Sequence, residues 1–172
     1  MSDKKYLVGI DFGTLSGRAI VVDAATGETL GTGVTPYRYG SMERTLDAAD
    51  GQPLPPEFAL QNPDDYIEVL GTAVPKAVEE SGVDPADIVG IGIDATSATV
   101  FFTDKDGEPL CNKEEFKNNI HAYVKLWKHH GAQNQADRLV MIAEDRNEEW
   151  LPRYGGGLSS ALLLAKALVV VE

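Results

Sequence analysis

Short runs of β-branched and aromatic residues, separated by small and polar residues, fill the N-terminal part of the chain. Such runs are typical of strands, and they predict three of them, over Tyr6–Ile10, Arg18–Asp23 and Thr29–Tyr37. Only short turns join these segments. Because parallel strands need a long crossover between them, turns this short favour an antiparallel meander.

The next region, 36–61, has no clear periodicity and is rich in glycine and proline, which predicts a long loop. A helix is predicted to follow, with Asn62 as its cap and Pro63 at its first position, before two acidic residues that face the positive end of the helix dipole. Apolar residues then recur at helical spacing. Pro75 predicts a bend in this helix, and Gly82 predicts its C-terminal cap.

The segment Ile88–Ile93 is nearly all apolar, which predicts a buried strand that runs parallel to its neighbour. A hairpin is predicted after it, with strands at Thr99–Thr103 and Pro109–Cys111 around a turn of aspartate and glycine. A meander followed by a helix and a parallel strand indicates an α/β domain with a mixed sheet.

Helical signal returns in the last third of the chain. A first segment is predicted as helix at Ala122–Trp127. A polar helix follows, with an apolar face formed by Ala136, Leu139, Val140 and Ala143. Ser159 or Ser160 is expected to cap a last, apolar helix.

Composition narrows the possible partners. The chain has 172 residues, a hydrophobic fraction of 43% and a formal net charge of -12, which suits one globular domain with an acidic surface. Such a surface repels nucleic acid and anionic membranes. The apolar run Ala161–Val171 is broken by Lys166 and is too short to span a bilayer. With Cys111 as the single cysteine, these features predict a cytoplasmic protein that binds neither nucleic acid nor membranes.

The residues with the clearest chemistry lie where the first predicted strand ends. Asp11 closes the strand, and a tight turn with Gly13, Thr14 and Ser16 leads to Arg18. Backbone amides and hydroxyls in such a turn form an anion-binding cradle, and the guanidinium suits phosphate. Asp11 is compatible with a bound phosphate if it holds Mg²⁺, directly or through water. The alternative is a plain tight hairpin, but the two hydroxyls and the arginine favour phosphate binding.

The string GIDFGTLSGRAIVVDAATGE, residues 9–28, resembles the first phosphate loop of the carbohydrate kinases related to actin, Hsp70 and hexokinase. The resemblance implies a two-domain kinase with ribonuclease-H-like cores, in which ATP and sugar bind in the cleft between the domains. Residues 1–172 would then form the N-terminal, sugar-side domain, an actin-type ATPase domain with a mixed β-sheet flanked by helices. The C-terminal domain would be its partner.

Three later segments resemble the ribulokinase branch of that family, namely 89–99 with its Asp-x-Thr form, 126–130 and 153–160. The resemblance implies phosphorylation of L-ribulose at a terminal hydroxyl with MgATP, as in L-arabinose catabolism. A sibling kinase for xylulose, ribitol or glycerol is the enzymatic alternative. A nucleotide switch of the actin kind, without sugar chemistry, is the alternative from another class. Whether the protein forms a homo-oligomer stays open.

Carried over to this sequence, the resemblance assigns Thr96, Ala98, Trp127 and Lys128 to the sugar pocket. Trp127 would offer an apolar face to the sugar carbons, and Lys128 would bond hydroxyls. The alternatives are a core aromatic for Trp127 and a solvated helix charge for Lys128. The catalytic aspartate and the second phosphate loop of the family have no counterpart in these residues, so we expect the chain alone to be inactive.

Overall fold

The computed structural model describes residues 4–172. Within it the chain forms two compact units. The first unit contains the chain up to Gly40 together with Pro63–Thr96, and the second contains Ser41–Asn62 together with Ser97–Glu172.

The regular elements follow one another along the chain and are numbered in that order. The strands are β1 (Tyr6–Phe12), β2 (Ser16–Asp23), β3 (Thr29–Pro36), β4 (Leu60–Gln61), β5 (Ile88–Ala95) and β6 (Val124–Lys125). The helices are α1 (Asp64–Ser81), α2 (Gln133–Asp145) and α3 (Leu163–Val171).

The first unit is built on a mixed four-stranded sheet with the order β3-β2-β1-β5. β1, β2 and β3 pair antiparallel, which confirms the predicted meander. β5 pairs parallel with β1 on the other side, as its apolar sequence predicted. The end of β1 therefore has a neighbouring strand on both sides.

α1 packs on β2 and β3 and closes the core of this unit. The buried residues come from one face of the strands and one face of the helix, namely Val8, Ile10, Ala19, Val21, Val69, Ala73 and Ala77. The helix lies very close to the sheet because glycines face it. A Cβ at Gly33 would stand 2.0 Å from the carbonyl oxygen of Ala73, so any larger residue there would push the helix away.

The boundaries of α1 follow its local signals. Gly82 ends the helix with a φ of 63°, the left-handed conformation expected of a glycine cap. The helix starts one residue later than predicted, because Pro63 rather than Asn62 occupies the N-cap position. It continues through Pro75 without interruption.

The prediction that the strand at Ile88–Ile93 is buried was wrong. Ile91 and Ile93 are 66% and 69% exposed. Their register places them beside Val8 and Ile10, on the face of the sheet that α1 covers. α1 lies over β2 and β3, however, and within residues 4–172 nothing extends that cover to β5.

The second unit departs most from the sequence-based expectation. The helix predicted at Ala122–Trp127 is wrong, because a 3-10 turn at Ile120–Ala122 leads into β6 instead. β6 pairs antiparallel with β4, and the amide of Leu126 donates to the carbonyl of Ala59 at 3.0 Å. Partners distant in sequence thus overrule the local helical pattern.

The hairpin around residues 104–107 is present only as a turn. The amide of Asp104 donates to the carbonyl of Glu108 at 2.9 Å, and Thr103 and Pro109 form an isolated bridge. The predicted strands beside it are not formed, and a 3-10 turn takes the place of the second at Leu110–Asn112.

The helices α2 and α3 confirm the helical segments predicted near the C-terminus. Ala136 and Ala143 form the buried face of α2. The predicted serine cap of α3 is wrong, because the helix starts at Leu163 and the Ser160 hydroxyl instead shares a hydrogen bond with Nδ1 of His130 at 2.9 Å. Across residues 4–172, the helices lack the combination of length and apolar character that a membrane span needs.

Candidate functional site

Asp11 lies near the end of β1 and pairs in register with Arg18 on β2. The Nη1 group of Arg18 donates to Oδ2 of Asp11 at 3.0 Å. The side chains are 44% exposed for Asp11 and 58% exposed for Arg18. Both groups are therefore accessible to a ligand, and an ion pair this open contributes only about 0–1 kcal/mol to stability.

A second carboxylate stands beside Asp11 on the other neighbouring strand. Asp94 on β5 is its partner in the parallel register, and residues paired in this way project from the same face of a sheet. The exposed face at the strand ends therefore carries a row formed by Arg18, Asp11 and Asp94. The Oδ1 atom of Asp94 accepts from the amide of Ala95 at 2.9 Å.

The turn between β1 and β2 holds the remaining predicted cradle residues, Gly13, Thr14 and Ser16. The amide of Gly13 donates to the carbonyl of Ser16 at 3.0 Å and closes the turn. A Cβ at Gly13 would lie 2.9 Å from that carbonyl oxygen, so the turn geometry requires glycine. The structure thus brings these three residues together with Asp11 and Arg18 within the first unit.

The base of this turn packs on α1 through a glycine whose role the sequence analysis missed. A Cβ at Gly17 would stand 2.3 Å from a methyl group of Val69. Beside it, Tyr66 makes edge-to-face contacts with Phe12 and Tyr37. Burial, followed by the charge of Asp11, raises the pKa of Tyr37, whose hydroxyl has no hydrogen-bond partner among residues 4–172.

Of the residues assigned to the sugar, Thr96 belongs to the first unit and the others to the second. The amide of Thr96 donates to the carbonyl of Phe12 at 3.2 Å. This bond ties the residue that follows β5 to the end of β1, next to the turn.

Ala98, Trp127 and Lys128 lie on two segments of the second unit that are joined to each other. The amide of Trp127 donates to Oγ1 of Thr99 at 3.2 Å. Val100 and Lys125 exchange two backbone hydrogen bonds, of 3.0 and 2.7 Å. The structure therefore brings the predicted sugar residues of this unit together.

Neither alternative reading of Trp127 and Lys128 fits. Trp127 is 46% exposed, too open for a core aromatic. Lys128 is not a solvated helix charge, because it lies outside the helices and its ammonium forms an ion pair with Glu43. Hydrogen bonding to that ammonium lowers the pKa of Glu43.

A buried lysine in α3, which the sequence analysis did not assign to the site, connects these segments. Lys166 has no exposed surface, and its Nζ atom donates to the carbonyl oxygens of Ala98 and Leu126, each at 2.7 Å. The signal in the sequence was the single charge inside the apolar run of α3.

Lys125 and His129 are buried in the same unit. Lys125 is fully buried and donates to the carbonyl of His121 at 2.8 Å. Burial lowers the pKa values of Lys125 and Lys166 to about 8 each. Burial, together with the nearby lysines, also lowers the pKa of His129 to about 3. His129 is therefore neutral, and its Nδ1 atom accepts from the amide of Ala59 at 3.3 Å.

The mixed β3-β2-β1-β5 sheet, with α1 packed on one face, makes the chain an α/β protein. The crystal structure of xylulose kinase from Rhodospirillum rubrum aligns with a TM-score of 0.64 and 18% identity, and covers 94% of this chain and 28% of that one. The similarity places the chain in the fold of the sugar kinases.

The model of the FGGY family of carbohydrate kinases, N-terminal domain, matches residues 6–142, and the chain belongs to this family. It is 50% identical over 168 residues to a protein named ribulokinase from Mycolicibacterium smegmatis, which covers 98% of this chain. It is 53% identical over 163 residues to a ribulokinase from Geobacillus thermodenitrificans, which covers 95% of this chain. The chain spans only 30% and 28% of the length of these two relatives.

Proposed function

We propose that the complete protein phosphorylates L-ribulose at a terminal hydroxyl, with ATP as the phosphoryl donor and Mg²⁺ as its metal ion. The observation that carries this proposal is the row of Asp11, Arg18 and Asp94 beside the turn at the end of β1. Phosphoryl transfer needs cations around the phosphates and little covalent chemistry from the protein, and this edge of the sheet offers groups for both nucleotide and metal.

Each residue of the turn has a proposed role. Arg18 would pair with a phosphate oxygen, and Gly13, Thr14 and Ser16 would surround the phosphates with amide and hydroxyl donors. Asp11 would hold the metal ion, directly or through water. In that state Arg18 would exchange its present partner, Asp11, for phosphate.

The donor set fits Mg²⁺. This ion takes one or two carboxylates from a protein and completes its shell with water and phosphate oxygens. Asp11 and Asp94 supply two carboxylates on neighbouring strands, and both are at least partly exposed. When bound, the ion would neutralise charge on the phosphates.

The sugar assignment rests on the relatives named ribulokinase, which are similar along almost the whole chain. Thr96, Ala98, Trp127 and Lys128 would contact the sugar, with the half-exposed indole of Trp127 against its carbons. The N-terminal, sugar-side position of residues 1–172 in a two-domain kinase is part of the same proposal. Inactivity of the chain alone and the cytoplasmic location stay predictions.

The test is a coupled ATP-consumption assay on the complete gene product with L-ribulose, D-ribulose, D-xylulose and glycerol. We expect L-ribulose to give the highest kcat/KM. Preference for D-xylulose or glycerol would support a kinase of this family but contradict L-ribulose as its substrate. ATP hydrolysis that no acceptor stimulates would instead support the nucleotide switch.

Asp11→Asn tests the nucleotide site in the same assay. Loss of a charge that organises the phosphates should lower kcat by about 100-fold or more, while the open ion pair makes the stability change smaller than about 1 kcal/mol. Asp106→Asn is the matched control, because it also removes a carboxylate from an exposed ion pair. Equal activity of the two variants would refute the role of Asp11.

A further inference from the structure

One buried ammonium joins the two segments to which the proposed function assigns the sugar. Nζ of Lys166 contacts the carbonyl of Ala98 on one side and the carbonyl of Leu126, the residue before Trp127, on the other. Both hydrogen bonds are 2.7 Å long, the short distance typical of a charged donor.

The segment that Lys166 holds has a strained backbone. Ala98 has a φ of 56°, in the left-handed region that residues other than glycine rarely adopt. Such a conformation persists only where surrounding contacts enforce it, and it is frequent at ligand sites. The ammonium donates to the carbonyl of the strained residue itself, whereas the amide of Trp127 donates to Oγ1 of the next residue, Thr99.

Stability alone does not account for this lysine. Among the ion pairs of residues 4–172, none includes Lys166. A buried ammonium without a carboxylate partner is costly, and an apolar residue of similar length avoids that cost. The neighbouring buried Lys125 adds repulsion. We attribute its place in the core to the two carbonyl contacts that it makes.

We propose that Lys166 is a positioning residue for the sugar, whose ammonium holds the 97–99 loop against the segment of Trp127. The two segments then present a fixed surface before the substrate arrives, which reduces the ordering needed on binding. This inference rests on the proposed function, because that function assigns Ala98 and Trp127 to the sugar.

The first test compares Lys166→Met with the wild type in the complete gene product, with L-ribulose and ATP as varied substrates. We expect kcat/KM for L-ribulose to fall about 10- to 100-fold through a higher KM, with the KM for ATP changed less than about twofold. A merely structural role would reduce the amount of active enzyme and leave both KM values unchanged.

Lys125→Met is the matched control. The side chain of Lys125 is equally buried and donates to a backbone carbonyl, but that carbonyl belongs to His121, outside the sugar segments. The pairing of Lys125 with Val100 uses only its backbone, which the substitution keeps. We expect the control to keep the KM for L-ribulose. Should Lys166→Met not fold, Lys166→Gln retains an amide donor and is expected to show a smaller rise in this KM. An unchanged KM in the folded Lys166 variants, or an equal rise in the control, would overturn the inference.

Hydrogen exchange separates this inference from the proposed function. The amides of Thr99, Val100 and Trp127 should exchange faster in Lys166→Met than in Lys125→Met, whichever sugar is the substrate. A wild-type enzyme that phosphorylates no sugar would overturn the proposed function, and the exchange rates would still decide whether Lys166 holds the loop. Equal exchange in both variants would overturn the positioning role.

Discussion

The contact between Gly17 and Val69 gives a prediction whose size follows from the geometry. A Cβ at Gly17 would lie 2.3 and 2.6 Å from the two methyl groups of Val69 and 3.0 Å from its Cβ. Carbon atoms pack at about 3.5–4.0 Å, so the methyl groups would have to move by about 1 Å. A valine in a helix has one strongly preferred rotamer, which leaves displacement of α1 from β2 as the main response.

Gly17→Ala should therefore destabilise the chain by about 1–3 kcal/mol, the usual cost of overpacking a close contact. Val69→Ala should also destabilise it, by about 1–3 kcal/mol, because it removes two methyl groups from a fully buried site. In the double variant each change makes room for the other, apart from the 3.0 Å contact between the two Cβ atoms. The double variant should consequently be more stable than the sum of the single effects, by about 1–3 kcal/mol.

Urea unfolding of the wild type, both single variants and the double variant measures this coupling. Gly92→Ala is the control on the same sheet, because a Cβ there meets nothing within 4 Å, and its effect should stay within about 0.5 kcal/mol. Single effects that add to within about 0.5 kcal/mol would refute the close packing of this turn on α1.

Two further predictions concern the second unit. Because burial, with the nearby Lys125 and Lys166, lowers the pKa of His129 to about 3, only the unfolded state takes up this proton below about pH 6.5. As the pH falls from about 6.5 towards 3, the free energy of unfolding of the wild type, measured in urea, should fall by about 1.4 kcal/mol per pH unit relative to that of His129→Asn. Parallel pH profiles of the two proteins would contradict a lowered pKa for His129. Lys128→Met should raise the KM for L-ribulose about tenfold, because it removes a charged hydrogen-bond donor. Glu43→Gln releases the ammonium of Lys128 from its ion pair and should leave this KM unchanged. A higher KM in both variants would show that the ion pair, rather than the free ammonium, is what the sugar needs.

The first unit could be predicted from sequence because its signals are local. The turn at Gly13 and the glycine cap at Gly82 each need only a few neighbouring residues, and the meander of β1–β3 follows from short connections. The exposure of β5 could not be predicted from its own sequence. An apolar strand is usually covered by a helix, but the position of α1 determines which strands are covered.

The second unit was predicted poorly because its structure depends on distant pairings. β6 exists through its partner β4, far away in the chain, and the local pattern favoured a helix. The same limit applies to the candidate site. A family resemblance named Ala98 and Trp127, but the lysine that connects them comes from α3, and only its unusual place in an apolar run marked it.

The two candidate regions obtain their geometry in different ways. At the turn of the first unit, glycines and a short connection between paired strands shape the backbone, and the charged pair of Asp11 and Arg18 remains open and weak. In the second unit the strained Ala98 needs a buried charge to hold it, which costs stability. A sugar presents hydroxyls at fixed angles and little charge, so recognition depends on positioned contacts more than on field strength. If the proposed roles hold, a rigid support therefore matters more under the sugar loop than beneath a phosphate, which a nearby positive charge attracts over a distance.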